Sequence, residues 1–163
     1  MQRFVISLIT LLLLTACDGT TFQSSVPTYP VRVVIDTRMG TFVHFQPDNF
    51  GSYVIANKEE GWYYLNTTKV MPLNVMDACG YAGVLVYVSL NGYDAYDLAC
   101  PYCAGKGRKQ ACTIDGMYAV CPHCGERYDL GSGTAVPTQG VARETLRRYN
   151  IITSDGKLTV TQR

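Results

Sequence analysis

No run of lysine or arginine in this chain exceeds two residues, and a formal net charge of +1 with a pI near 7.5 gives no electrostatic footprint for nucleic acid. Histidine is scarce, with two in 163 residues. No Ser/His/Asp or Cys/His arrangement is present, and neither Glu59-Glu60 nor Asp77 forms an acid–base pair, so no catalytic constellation emerges. No apolar run reaches the ~20 residues of a comfortable spanning helix. After residue 17 there is no convincing helical stripe, no repeat beyond two short cysteine motifs and no long low-complexity tract. What is present is 47% hydrophobic content, enough for one core in a chain of single-domain length.

The first apolar run carries an address. Met1-Gln2-Arg3 is a short positive start, residues 4–14 are almost unbroken apolar, and Leu14-Thr15-Ala16-Cys17 closes the run, the pattern of a secretory signal. The Leu-Thr-Ala-Cys ending resembles the lipobox of bacterial lipoproteins. That resemblance implies that residues 1–16 are a signal peptide cut before Cys17, and that the Cys17 sulfur carries diacylglycerol. Several acyl chains on one residue give stable anchoring. The expected place is the bacterial cell envelope, lipid-anchored to a membrane and facing the periplasm or the exterior. Residues 17–30, rich in Thr, Ser, Gly and Pro, read as the lipidated cysteine and a flexible tether, and residues 31–163 as a single domain.

That domain reads as all-β. Asn91-Gly92, Asp115-Gly116 and Asp155-Gly156 each supply the backbone freedom that a tight hairpin needs. They separate residues 84–88 from 93–98, 111–114 from 117–120, and 149–152 from 158–160. Earlier strands are expected at Val31–Asp36, rich in β-branched residues, and at residues 53–56. Residues 142–148 are the best candidate for a turn of helix. Twelve tyrosines, with Trp62-Tyr63-Tyr64 together, suit sheet packing.

Cys100-Pro101-Tyr102-Cys103 and Cys121-Pro122-His123-Cys124 form two CxxC pairs with seventeen residues between them. That spacing reads as a tetrahedral metal site, each pair giving two sulfurs and the intervening hairpin returning the chain to one point. Gly125 after the second pair permits a positive φ angle and lets N–H groups turn toward the sulfurs. The first pair is less regular, with Ala104 before Gly105. Two other uses of the same cysteines stay open. Thiol–disulfide exchange would need a helix beginning at the motif, and structural disulfides suit an exported chain but gain little from closing so small a ring. Cys79 and Cys112 are the better disulfide candidates, or else small buried residues.

Taken in order, Gly83-Val84-Leu85-Val86-Tyr87, then residues 93–101, then Cys121-Pro122-His123-Cys124-Gly125-Glu126-Arg127-Tyr128-Asp129, and finally Gly140-Val141-Ala142 and the closing hairpin at Asp155-Gly156 resemble the Rieske iron–sulfur domain. The resemblance implies a Rieske-like antiparallel β-sandwich carrying a small two-loop metal-binding subdomain, similar to a zinc ribbon or rubredoxin, at about residues 99–128. Its ligands depart from the family. Cys100 and Cys121 match the family cysteines, but Tyr102 and Cys124 stand where the two histidines belong, so the site becomes Cys100, Cys103, Cys121 and Cys124. His123 reads as an exposed loop side chain, and His44 is remote. Four thiolates would pull a [2Fe–2S] potential down toward plant-type ferredoxins, and their softness also admits zinc or a single iron. Two functions are therefore expected from the resemblance. One is a membrane-anchored one-electron carrier with a redox protein partner, and the other is a zinc-stapled binding or assembly module with no redox role.

Overall fold

The computed structural model describes residues 24–163. The expected signal peptide, Cys17 and the start of the tether lie outside the described residues. The described residues form thirteen strands: β1 Val31–Asp36, β2 Tyr53–Asn57, β3 Trp62–Leu65, β4 Thr68–Pro72, β5 Ala78–Cys79, β6 Val84–Ser89, β7 Gly92–Asp97, β8 Thr113–Asp115, β9 Tyr118–Val120, β10 Arg127–Asp129, β11 Val136–Gln139, β12 Arg148–Ser154 and β13 Lys157–Thr161. The one α-helical turn among the described residues is α1, Pro101–Ala104, and a 3-10 turn covers Gly40–Phe42. No helix among them is long and apolar enough to cross a membrane. The all-β expectation holds.

Nine strands pair in the order β4-β3-β2-β6-β7-β12-β13-β1-β5, all antiparallel, and four more in the order β11-β10-β9-β8. The long sheet folds over at β12, whose Arg148 and Tyr149 pair with β7 while Asn150 onward pairs with β13. β1, the first strand, pairs along its length with β13, the last, from Arg32 against Thr161 to Asp36 against Lys157.

β6 is the wall that both cores share. All six of its residues are buried, which explains why residues 84–88 read as a continuous apolar run instead of alternating. Val84, Val86 and Val88 face a first core with Val33, Ile35, Phe45 and Leu158. Leu85 and Tyr87 face a second core with Tyr96, Leu98, Tyr128, Leu130 and four cysteines. Burying each such side chain contributes roughly 1.5–3 kcal/mol, so the wall stabilises the body and the cysteine end together.

The three expected hairpins form, with three different turns. Ser154 pairs with Lys157 across Asp155 and Gly156, both at positive φ, 47° and 67°. Asp115 pairs with Tyr118, so the loop there is Gly116-Met117 with only Gly116 positive, at 57°. Ser89 pairs with Gly92, so the loop is Leu90-Asn91 and Gly92 takes φ 93° just after it. Sequence placed the loop one residue early at Asp115-Gly116 and one residue late at Asn91-Gly92.

Two other expectations are corrected. Residues 142–148 hold no helical turn, because Leu146 is buried in the second core while Glu144 and Arg147 turn to the N-terminal segment. The tether, expected to run to Pro30, is docked from Ser24 onward. Val26 is fully buried, Ser24 Oγ donates to Glu144 at 2.6 Å, and Arg147 donates to the Val26 carbonyl at 2.7 Å.

Candidate metal centre

Both CxxC pairs sit at strand ends. Cys100 follows β7 and caps α1, where Pro101 supplies the preset φ of a first helical position. Its N–H donates to the Gln110 carbonyl, and Cys112 N–H donates to the Leu98 carbonyl, both at 2.8 Å, so the outgoing and returning chains are tied at the site's base. Ala104 N–H closes the turn on the Cys100 carbonyl at 2.9 Å. The positive φ that lets the chain leave falls at Gly107, 75°, and not at Gly105. The second knuckle is tighter. Gly125 N–H donates to the Cys121 carbonyl and Cys121 N–H to the Glu126 carbonyl, both at 2.9 Å, with Gly125 at φ 76° as its position required.

The structure brings Cys100, Cys103, Cys121 and Cys124 together. Their four sulfurs lie within 4.8 Å of one another. Contacts across the loops are short, Cys100 Sγ to Cys124 Sγ at 3.6 Å and Cys103 Sγ to Cys121 Sγ at 3.7 Å. Three of the sulfurs are buried and Cys124 is half-buried. The Tyr128 hydroxyl lies 3.5 Å from Cys100 Sγ. A closed tetrathiolate of this kind is the donor set of structural sites, with no position left open for substrate.

Without a metal, Cys100, Cys103 and Cys124 do not hold their protons alike. A hydrogen bond with the neighbouring Cys112 thiol, opposed by burial and aided by Tyr128, holds Cys100 down at about 4. Burial pushes Cys103 above the ordinary thiol range and Cys124 up to about 11. Cys112 itself is driven far up, first by its bond to Cys100 and then by burial.

Two buried carboxylates brace this end, and neither was singled out from sequence. Asp97 Oδ1 and Oδ2 accept from the Tyr81, Ala82 and Ala99 N–H groups at 2.7, 3.1 and 2.8 Å and from the Tyr149 hydroxyl at 2.6 Å. Glu126, two residues after Cys124, accepts from Val141 N–H at 2.6 Å and Ala142 N–H at 3.1 Å. Gly140 must be glycine for this clasp, since its φ is 103° and a Cβ there would stand 2.3 Å from the Glu126 carboxyl. A valine in the Gly140-Val141-Ala142 loop thus has a use, because proline would have no N–H to give Glu126.

The remaining candidates fall outside the cluster. His123 is exposed and His44 lines a separate surface cavity with Phe50 and Ser52. Tyr102 stacks under the Lys106 ammonium at 4.1 Å. Cys79 and Cys112, expected as the better disulfide candidates, are both free and belong to different cores, so the fold gives them no common bond. Cys79 packs in the first core at the sheet edge, and Cys112 is a fifth thiol, itself buried, in the core that holds the four.

No protein family and no curated protein matches the chain. Among solved structures, a chain from the complex of reduced oxygenase and oxidised ferredoxin in carbazole 1,9a-dioxygenase is 15% identical, with a TM-score of 0.45 over 80% of this chain and 93% of that one. Sphingomonas yanoikuyae B1 ferredoxin is 17% identical, with a TM-score of 0.39 over 52% of this chain and 83% of its own. Similarity of that degree decides nothing about cofactor or partner, which depend on the four sulfurs.

Proposed function

We propose that Cys100, Cys103, Cys121 and Cys124 hold one zinc ion, which staples the tip of a binding or assembly module carried on a bacterial membrane by lipid at Cys17. The observation behind the single ion is the sulfur geometry. Four sulfurs at ~2.3 Å from one ion stand ~3.8 Å apart along the edges of a tetrahedron. The cross-loop distances of 3.6 and 3.7 Å are close to that edge. A Rieske-type cluster divides its ligands between two irons, which would put Cys100 with Cys121 on one and Cys103 with Cys124 on the other. The short contacts run across that division, where bridging sulfides would hold the sulfurs apart.

A second reading keeps the same ligands with a single iron, giving a one-electron carrier with a redox protein partner. The half-buried Cys124 favours it, since one ligand reaches the surface where an electron can enter.

Elemental analysis and a visible spectrum of the full chain, purified anaerobically in detergent, separate these readings. One zinc per chain and no colour supports the staple. One coloured iron supports the carrier, and two irons with acid-labile sulfide reject the single ion. The anchor has its own test. Intact mass should show a chain beginning at Cys17 and carrying acyl groups, and Cys17→Ser should leave it unlipidated.

A further inference from the structure

The described chain begins beside the metal tip. Glu144 accepts from Ser24 Oγ at 2.6 Å and Ser25 N–H at 2.8 Å, while Arg147 donates to the Val26 carbonyl at 2.7 Å and Thr28 Oγ1 at 2.8 Å. Ser25 packs near Gly105, just past α1, where a Cβ on the glycine would be 3.4 Å from its hydroxyl. From residue 24 back to Cys17 the chain spans at most about 25 Å even when fully extended.

The surface around that entry point is basic. A cleft of about 340 Å³ is lined by Ser25, Tyr102, Lys106, Val141, Arg143 and Glu144. A larger depression of about 960 Å³ shares Arg143 and Glu144 with it and continues to Arg147, Arg148 and Arg163. The one acid in either lining, Glu144, is already engaged by Ser24 and Ser25. Of the basic lining residues, Lys106, Arg143 and Arg163 are exposed and have no acidic partner among the described residues. In a chain whose net charge is only +1, this is a concentration of charge on one face. At its centre Val141 is 65% exposed, with the half-buried Tyr102 lining the same cleft. An apolar tip and an aromatic ring within basic side chains is the composition of surfaces that rest at the headgroup level of a bilayer.

We propose that this face, centred on Lys106, Val141 and Arg143, docks on anionic lipid headgroups of the membrane that carries the anchor, so that the metal tip is held toward the bilayer. The proposal rests on the lipid-anchor reading of Cys17. Each lysine or arginine near an anionic leaflet adds a salt-sensitive attraction, and the short segment before residue 24 keeps the face within reach.

The test uses the full lipidated chain in vesicles of phosphatidylglycerol with phosphatidylethanolamine, compared with phosphatidylcholine alone, read by amide hydrogen exchange. In the anionic vesicles, residues 104–108 and 140–145 should exchange about threefold or more slowly than in the neutral ones, as loss of solvent at a charge-held surface requires. High salt, or Lys106→Glu with Arg143→Glu, should remove the difference. Unchanged exchange in the Asp155-Gly156 hairpin shows that the variant is folded. A lipidated chain with equal exchange in both vesicles leaves the anchor standing and overturns the docking face. A chain whose intact mass lacks lipid overturns the anchor, and the proposed placement with it.

Discussion

At the scale of single residues, protons and metal compete for the same sulfurs. Cys103 and Cys124 have raised pKa values in the metal-free site, so both keep their protons at neutral pH and must release them on binding. Affinity should therefore rise with pH, by at least about 100-fold per unit between pH 6 and 8 for the two protons that Cys103 and Cys124 release, as competition with a chromophoric chelator would measure. Cys100 has the opposite sign. Its depressed value of about 4 means that the stability it lends the metal-free domain is present above the ordinary thiol range and is lost as pH falls toward 4. Cys121→Ser removes one corner of the tetrahedron and leaves three ligands; metal content should fall to near zero and stability by at least ~3 kcal/mol, read by elemental analysis and melting. Glu126→Gln puts an amide donor against one of two N–H groups that now meet a carboxylate. A loss of roughly 2–3 kcal/mol in urea denaturation is expected.

At the scale of elements, the sequence was most readable where local chemistry decides the conformation. Val31–Asp36 is a strand for its β-branched residues, and Asp155-Gly156 is a two-residue turn because both positions tolerate positive φ. Leu90-Asn91 lies one residue before the expected Asn91-Gly92 and Gly116-Met117 one residue after the expected Asp115-Gly116, because a glycine can also end a turn or open one. β3 and β4 were missed: Asn66-Thr67 joins them without a glycine, Asn66 itself taking φ 52°. α1 was missed too, although Pro101 after Cys100 is a helix-start signal. The clustering of the four cysteines was legible from spacing alone, whereas the roles of Asp97 and Glu126 were not, since only the folded chain shows which carboxylates are buried. β6 makes a prediction of its own. Leu85→Ala opens a cavity beside the cysteines and should cost about 2–5 kcal/mol. It should also speed metal loss to a chelator, while Val86→Ala, on the other face, should lower stability with little change in that rate.

At the scale of the whole molecule, the two cores divide the response to metal removal. Cys100, Cys103 and Cys121 belong to the second core and none of them to the first. Chelation should therefore raise amide exchange across residues 99–130 while β1, β2 and β13 stay protected, a sub-global opening and not a collapse. Uniform loss of protection would show instead that the shared wall couples both cores into one cooperative unit.

The pairing of β1 with β13 bears on how the chain matures. If the chain is exported as proposed above, threading N-terminus first through a translocation pore delivers Arg32 early and Thr161 almost last, so the β13-facing edge of β1 waits unzipped through nearly the whole passage. On the zinc reading, the cysteine hairpin, complete once Asp129 has emerged, can capture its ion before β13 has paired with β1. Quality control by a protease that trims the last strand would reopen the molecule at its first.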